Sequence, residues 1–433
     1  MARRNKAGER GLTLIETITA LALLVIVMSG LYTLLEASNR ITKQETNVAE
    51  AQQSARVGIY ELGHIIRQAR GGSLYYGNAV LPVSNNSPGG KSLTDLDGKS
   101  HYIRKGTDVI AVRGILFGDR YALDPGDVSC VGSCATSSTA RVTIRAKANT
   151  GVVNFPNGGS PSIESRTRPF YFLVTAATQQ KVTVGSSSYL VPFYYVGRVD
   201  TTGTWYTKTA DAFAFSMDVQ DAGARRFDAP APTPTNMDKP FAGGVVDEVR
   251  FFLDEGPSDG STSAADTHPT LAEAILDAQT NQYDVRPLVA EVEDFQVAYG
   301  VDGVGGLPRD QGVSPGTVDQ TGLNKDEWVG NFSSEVETTL TISSSDPKSV
   351  DAFLDTSAPS GSSDPKLAKA ALRSVWVSLV AKSADPDMRY DGPGARGMKT
   401  LDSGAFSFSA ASSTGRPYRR RLQSFAVSLR NYQ

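Results

Sequence analysis

An apolar run near the N-terminus constrains this chain more than any other feature. From Leu12 to Leu35 the sequence carries a single charged side chain, Glu16. As a helix this run would be about 36 Å long, enough to cross a hydrocarbon core of about 30 Å. The residues before it are few, polar and basic. They predict that the N-terminus stays in the cytoplasm and that everything after Leu35 crosses the membrane.

The helical pattern continues beyond the apolar run. Apolar or small residues keep helical spacing at Ile41, Val48, Ala55, Ile59, Leu62, Ile66 and Ala69. This spacing predicts one long helix over residues 12–70, with its membrane-spanning part at about 12–35. A secretory signal peptide would have a shorter apolar segment and a clean small-x-small cleavage site. A generic single-pass anchor with an amphipathic stalk is the alternative that the pattern alone leaves open.

The residues at the start of the run form a specific motif, Gly11-Leu12-Thr-Leu-Ile-Glu16. A carboxylate near the end of a membrane helix is costly and needs a partner. The motif resembles the prepilin motif of type IV pilin-like proteins. The resemblance implies that prepilin peptidase cleaves between Gly11 and Leu12 and methylates the new N-terminus. It also implies that Glu16 pairs with the N-terminal amine of a neighbouring subunit. Leu12 stands where the family usually has phenylalanine, and the membrane segment lacks the proline of many major pilins.

Short apolar or alternating runs replace the helical period after Arg70. The predicted strands are Val109–Phe117, Ala140–Ala148, Pro169–Thr175, Tyr189–Val196, Phe213–Asp218, Val245–Leu253, Val289–Tyr299, Glu337–Ile342, Arg373–Ala381 and Arg420–Leu429. Polar segments rich in glycine, serine and proline separate them. We therefore expect an α+β, type IV pilin-like fold. In it a leader (1–11) precedes the long helix (12–70), which packs on a mostly antiparallel β-domain (71–433) enlarged by loop insertions.

Three C-terminal segments sharpen the resemblance. Residues Leu288–Asp302, Ala371–Lys382 and Tyr418–Asn431 are similar to segments of PilW-type minor pilins and occur in the order expected for that family. In the middle of the chain, about Gly71 to Gly244, we identify no family resemblance.

Charge and cysteine content limit the classes of partner. The formal net charge is −3, and loss of the basic leader would make the mature chain more acidic, so no nucleic acid partner is expected. Cys130 and Cys134 are the two cysteines, and two thiolates alone cannot complete a zinc site. Outside the cytoplasm a disulfide between them is favoured. In a reducing compartment they would be free thiols.

The sequence offers no convincing catalytic or metal-binding set. Gly256-Pro-Ser-Asp-Gly260 fits the spacing of a nucleophile elbow, but the surrounding proline and glycines favour a turn. Asp95-Leu-Asp-Gly98 is a fragment of a calcium-loop pattern without its distal glutamate, and a plain turn is favoured. The three histidines have no metal-binding spacing. We therefore expect no enzyme activity, no cofactor and no metal.

The resemblance implies a structural role. We expect a minor pilin of a type IV pilus, present in few copies, that helps to initiate or cap assembly near the fibre tip. Its implied partners are prepilin peptidase, other minor pilins and the major pilin, with a tip adhesin as a further candidate. It would sit in the inner membrane, with its domain in the periplasm, and then enter the extracellular fibre. A J-type pseudopilin of a type II secretion system and a pilus-borne adhesin are the alternatives.

Overall fold

The computed structural model describes residues 13–69, 80–82, 92–104, 107–131, 138–145, 162–184, 187–209, 211–221, 223–227, 240–257, 269–301, 328–329, 372–383 and 420–428. Its first element is helix α1, Leu14–Gln68, with 55 residues. The helix falls within the predicted range 12–70, whose first and last residues lie outside the described part. The chain divides into two compact units, Met1–Glu50 and Ala51–Gln433.

Strands account for most of the remaining described residues. Their bounds are β1 Val80–Pro82, β2 Ser92–Thr94, β3 Ser100–Ile103, β4 Ile110–Gly114, β5 Arg120–Ala122, β6 Val128–Cys130, β7 Thr139–Arg145, β8 Phe170–Val184, β9 Ser187–Val199, β10 Tyr206–Lys208, β11 Ala212–Asp218, β12 Pro240–Pro257, β13 Thr270–Leu276, β14 Tyr283–Ala290, β15 Val292–Val301, β16 Trp328–Val329, β17 Leu372–Lys382 and β18 Arg420–Ser428. Two short 3-10 helices lie at Ser162–Ser165 and Ala224–Phe227.

The strands form two sheets within the described residues. Strands β1 to β14 belong to one large sheet, and β15 to β18 form a second in the order β16-β15-β17-β18. Each strand pair in both sheets is antiparallel. Strand β12 is the hub of the large sheet, because it pairs with β3, β4, β5, β8 and β13 at different points along its length. The predicted combination of a long helix with a mostly antiparallel β-domain is confirmed.

Alternation along the central strands separates two hydrophobic cores. In β8, Tyr171 and Leu173 belong to the larger core, whereas Phe170, Phe172 and Val174 belong to the smaller one. This is the result of side chains pointing to opposite faces at successive strand positions. The larger core also contains residues of β4, β12, β13, β15 and β17.

The C-terminal part of α1, from Ala51 onward, packs into the larger core. Ala55, Leu62 and Ile66 are completely buried there. Their spacing places them on one face of the helix. Glycine is also required beside the end of the helix, since a Cβ on Gly114 of β4 would lie 2.6 Å from the carbonyl oxygen of Ala69.

A buried ionic network ties the hub strand to its neighbours. Glu248 of β12 is fully buried and accepts hydrogen bonds from Nε of Arg113 at 2.8 Å and Nε of Arg250 at 2.9 Å. The hydroxyl of Tyr283 in β14 donates a third hydrogen bond to the same carboxylate. The Arg250 guanidinium lies 4.7 Å from the centroid of the Tyr283 ring. Strands β4, β12 and β14 therefore share one buried carboxylate.

The predicted strands that fall within the described residues differ from the observed ones mainly at their ends. The sequence did not predict β1, β2, β3, β5, β6, β10, β13 and β16. The predicted strand Val289–Tyr299 is divided between β14 and β15 at Glu291, because Glu291 has a φ of 63°, a left-handed conformation that interrupts a strand. Strand β12 begins at Pro240, five residues before the predicted strand Val245–Leu253. The predicted strand Glu337–Ile342 lies outside the described residues. Strands β13 and β14 lie within residues 270–290, where the sequence predicted a strand only from Val289 onward.

Candidate functional site

The N-terminal end of α1 carries the described part of the predicted processing and assembly site. Thr13 precedes the helix, and its backbone N–H donates to Oε2 of Glu16 at 2.9 Å. The Thr13 hydroxyl donates to the same oxygen at 3.0 Å, and the Glu16 N–H donates back to that hydroxyl at 3.4 Å. This reciprocal pattern is a capping box, in which Thr13 is the N-cap and Glu16 is the third helical residue.

Gly11 and Leu12 lie outside the described residues, so cleavage between them stays a prediction. The structure nevertheless gives the local setting of Glu16. Its side chain is exposed, and both of its hydrogen bonds from Thr13 reach Oε2. Among the described residues, none donates a hydrogen bond to Oε1. The capping box therefore leaves one carboxylate oxygen able to accept a hydrogen bond from a cation.

The helix after Glu16 presents apolar side chains to its surroundings. Leu23 is 63% exposed, Val25 65% and Ile26 67%. Within the described residues, α1 is the one helix long and apolar enough to cross a membrane. Its threonines bond back to the helix: the Thr19 hydroxyl donates to the Ile15 carbonyl at 2.8 Å, and that of Thr33 to the Gly30 carbonyl at 2.8 Å. These bonds give the threonine hydroxyls partners within the helix, which a lipid environment without water requires.

The predicted disulfide falls on a hairpin loop. Cys130 ends β6, where it is paired with Ala140 of β7. The Val131 N–H donates to the Thr139 carbonyl at 3.0 Å and closes the base of the loop. Cys134 belongs to that loop but lies outside the described residues. The pairing of Cys130 with Cys134 therefore stays a prediction.

The weak catalytic and metal motifs gain little support. Strand β12 runs through Gly256 and Pro257, and the rest of the Gly256–Gly260 motif lies outside the described residues. Asp95–Gly98 forms the turn between β2 and β3, with Gly98 at a φ of 76°. No group of three or more histidine, cysteine, aspartate or glutamate side chains suited to a metal occurs in the described part of the chain.

Some features that the structure brings out were not predicted from the sequence. The capping box had a local signal, since Thr13 and Glu16 have the spacing of that motif. The Glu248 network and the pairing of His101 with Asp95 and Asp254 had none. Their members lie far apart in the sequence: 135 positions separate Arg113 from Glu248, and 153 separate His101 from Asp254.

Comparisons with known proteins match both ends of the chain. Residues 6–32, which include the capping box, match the model of the prokaryotic N-terminal methylation motif. Residues 258–431, which include β13 to β18, match the model of type IV pilus-assembly protein W. No curated protein sequence matches the chain.

A solved structure adds no argument about the fold. The crystal structure of the Clostridium perfringens NetB toxin in its membrane-inserted form is 6% identical to this chain. The alignment covers 50% of this chain and 95% of the toxin chain, with a TM-score of 0.05. The fold and the two family matches therefore carry the argument. A prepilin-type N-terminal motif and a C-terminal region that matches the PilW model occur in one chain, and together they support a PilW-type, type IV pilin-like protein.

Proposed function

We propose that this protein is a minor pilin, a low-copy subunit that helps to initiate or cap type IV pilus assembly near the fibre tip. The observation that carries the proposal is the joint presence of the methylation motif at residues 6–32 and the pilus-assembly match at residues 258–431. The first supports membrane anchoring and processing, and the second supports a role in assembly rather than in the bulk of the fibre. The role is structural and requires no catalytic group.

The size of the protein supports a low copy number. The compact unit Ala51–Gln433 makes up most of the 433-residue chain. Domains repeated along a closely packed shaft must be small, because adjacent subunits are separated by a short axial rise. A domain of this size is accommodated more easily at an end of the fibre, where it has fewer neighbours.

The proposed pathway begins in the inner membrane. The apolar part of α1 anchors the chain there, with the β-domain on the periplasmic side, and prepilin peptidase removes residues 1–11. The subunit then leaves the bilayer for the fibre and contacts other minor pilins and the major pilin. Because Glu16 retains a carboxylate that requires an amine from the subunit above, we place this protein just beneath another minor subunit rather than at the extreme tip.

A binding role for the middle region is a second candidate. Strands β1 to β12 precede the region that matches the pilus-assembly family, so a large part of the β-domain has no counterpart in that match. Such an addition on a tip subunit could bind a surface or a tip adhesin. A J-type pseudopilin of a secretion system shares the same N-terminal motif and remains the alternative for the assembly role.

Deletion of the gene separates these functions. We expect loss of most surface fibres, counted by electron microscopy, and restoration by the full-length chain, because a subunit that initiates assembly is needed for every fibre. Normal fibre numbers with lost attachment would contradict the assembly role and favour the adhesin. Normal fibres with impaired protein secretion would favour the pseudopilin.

A further inference from the structure

One histidine of the β-domain is held between two carboxylates. His101 of β3 has its Nδ1 2.6 Å from Oδ2 of Asp254 in β12 and its Nε2 3.1 Å from Oδ2 of Asp95. Only 14% of the His101 side chain is exposed, and both aspartates are buried. Both ring nitrogens therefore face negatively charged acceptors in a nearly closed site.

This geometry fits the charged form of the imidazole. An ionised carboxylate only accepts hydrogen bonds, and an imidazole donates from both nitrogens only when it is protonated. A neutral His101 would turn one lone pair toward a carboxylate oxygen at hydrogen-bond distance. Loss of the proton would therefore replace one charge-assisted hydrogen bond with a repulsive contact.

Asp95 transmits the state of His101 to the turn between β2 and β3. Its Oδ1 accepts hydrogen bonds from the N–H groups of Asp97 at 2.9 Å and Lys99 at 2.8 Å, while its Oδ2 faces His101. The Leu96 N–H donates to the Tyr283 carbonyl of β14 at 3.1 Å. The same carboxylate thus shapes the turn and joins it to the histidine.

The β2–β3 hairpin is paired with β12 at two positions. Its pairing with β12 consists of Ile103 with Asp254 and His101 with Pro257, with a register shift between them. Strands β2 and β3 pair with each other over three positions. A charge-assisted hydrogen bond contributes more than a neutral one. The bond from His101 to Asp254 therefore adds directly to what holds this hairpin to β12, whereas the bond to Asp95 lies within the hairpin.

We propose that His101, Asp95 and Asp254 form a pH-sensitive latch that fastens the β2–β3 hairpin to β12 and releases it when the imidazole loses its proton. We call these three residues the latch. The other charged groups nearby on the same elements are more exposed and are paired elsewhere. Lys99 lies 4.0 Å from Asp97, and Arg104 lies 4.0 Å from Glu255.

The direction of the pH dependence follows from the latch residues. Burial alone would lower the pKa of His101, but the hydrogen bonds and charges of Asp254 and Asp95 outweigh it. The pKa of His101 is therefore raised above its usual value of about 6.5. A group with a raised pKa contributes its full stabilisation below that usual value and loses it as the pH rises through the folded-state pKa. The latch is therefore closed below the usual histidine pKa and opens as the pH rises through the raised folded-state pKa of His101.

Protonation of Asp95 sets the lower end of the pH range over which the latch is closed. Burial alone would raise its pKa, but the hydrogen bonds from His101 and from the backbone N–H groups of Lys99 and Asp97 outweigh it and lower the pKa. Its contribution is therefore present above the usual aspartate value of about 3.9 and is lost as the pH falls through the lower folded-state pKa.

Hydrogen exchange measured by mass spectrometry tests the latch in the full-length chain in detergent micelles. Exchange is measured at about pH 5.5 and about pH 8.5, on either side of the usual histidine pKa. Each measured rate is divided by the rate expected for the same peptide in an unstructured chain at that pH. In peptides covering residues 92–103 we expect protection to fall about tenfold at the higher pH, as for the loss of one charge-assisted hydrogen bond. Peptides from β17 report whether the domain stays folded.

Three variants make the test specific. His101→Gln should show the reduced protection at both pH values, and His64→Gln, which alters an exposed histidine of α1, should behave as the wild type. Asp254→Asn leaves His101 one carboxylate, so the midpoint of the transition should move to lower pH. Equal protection of residues 92–103 at both pH values in the wild type would overturn the proposal. A fall of the same size in His101→Gln would overturn it as well.

Discussion

The variant Glu248→Ala is expected to lower the free energy of unfolding of the β-domain by about 3–5 kcal/mol, the cost of removing one partner from a buried ion pair. Glu248 is fully buried, and it accepts hydrogen bonds from Arg113, Arg250 and Tyr283. Its removal leaves the Arg113 guanidinium, whose side chain is only 8% exposed, without its carboxylate. Chemical denaturation of the full-length chain in detergent, followed by tryptophan fluorescence, measures the change.

A surface pair provides the matched control. Asp284 in β14 bonds to Arg286, and both side chains are substantially exposed. Asp284→Asn should cost no more than about 1 kcal/mol, because exposed ion pairs contribute little. The double variant Arg113→Met with Glu248→Leu should be less destabilised than the sum of its single variants, since it removes both charges together. A loss below about 1 kcal/mol for Glu248→Ala would show that the network does not support the domain.

The variant Glu16→Gln is expected to reduce incorporation of the protein into fibres about a hundredfold or more. This is the effect of leaving a buried amine without its carboxylate at a subunit contact. Glutamine can replace glutamate in a capping box, so the start of α1 should be preserved while the charge is lost. Immunoblotting of sheared fibres against the membrane fraction measures incorporation.

The capping box itself supplies the control for Glu16. Thr13→Ala removes the hydroxyl that bonds to Oε2 of Glu16 but keeps the carboxylate charge. Its cost is about 1 kcal/mol of helix stability, and incorporation should remain close to that of the wild type. Equal losses in both variants would assign Glu16 to helix capping alone. Unchanged incorporation in Glu16→Gln would refute the proposed pairing with an amine.

The helix was predictable because its signals are local. Apolar spacing over the C-terminal half of α1 indicated Ala55, Leu62 and Ile66, which are buried. The same pattern included Ile41, which is 54% exposed. Spacing shows that a residue lies on the apolar face of the helix, but it does not show whether that residue is buried.

Strand prediction succeeded where burial on both faces produced continuous apolar runs. Strands β4 and β8 are of this kind: β4 was predicted within three residues at each end, and the start of β8 within one residue, although β8 continues to Val184. Strands of three residues, such as β5 and β10, are too short to show alternation. The first six residues of β14 were missed because Asp284, Arg286 and Pro287 interrupt its pattern.

The candidate functional residues also divide into those with a local sequence signal and those without one. The N-terminal motif is contiguous, so its residues and their implied roles could be named from the sequence. The latch and the Glu248 network depend on strand register, which brings His101 beside Asp254 across 153 positions. No short-range pattern contains that information.

N-terminal processing tests the central claim most directly. The full-length chain is co-expressed with a prepilin peptidase, and the N-terminal residue and its mass are determined beside a Gly11→Ala control. We predict a mature protein that begins at Leu12 and carries one added methyl group, with cleavage abolished in Gly11→Ala. An intact N-terminus, or cleavage beyond Leu35, would contradict the assignment of this chain to the pilins.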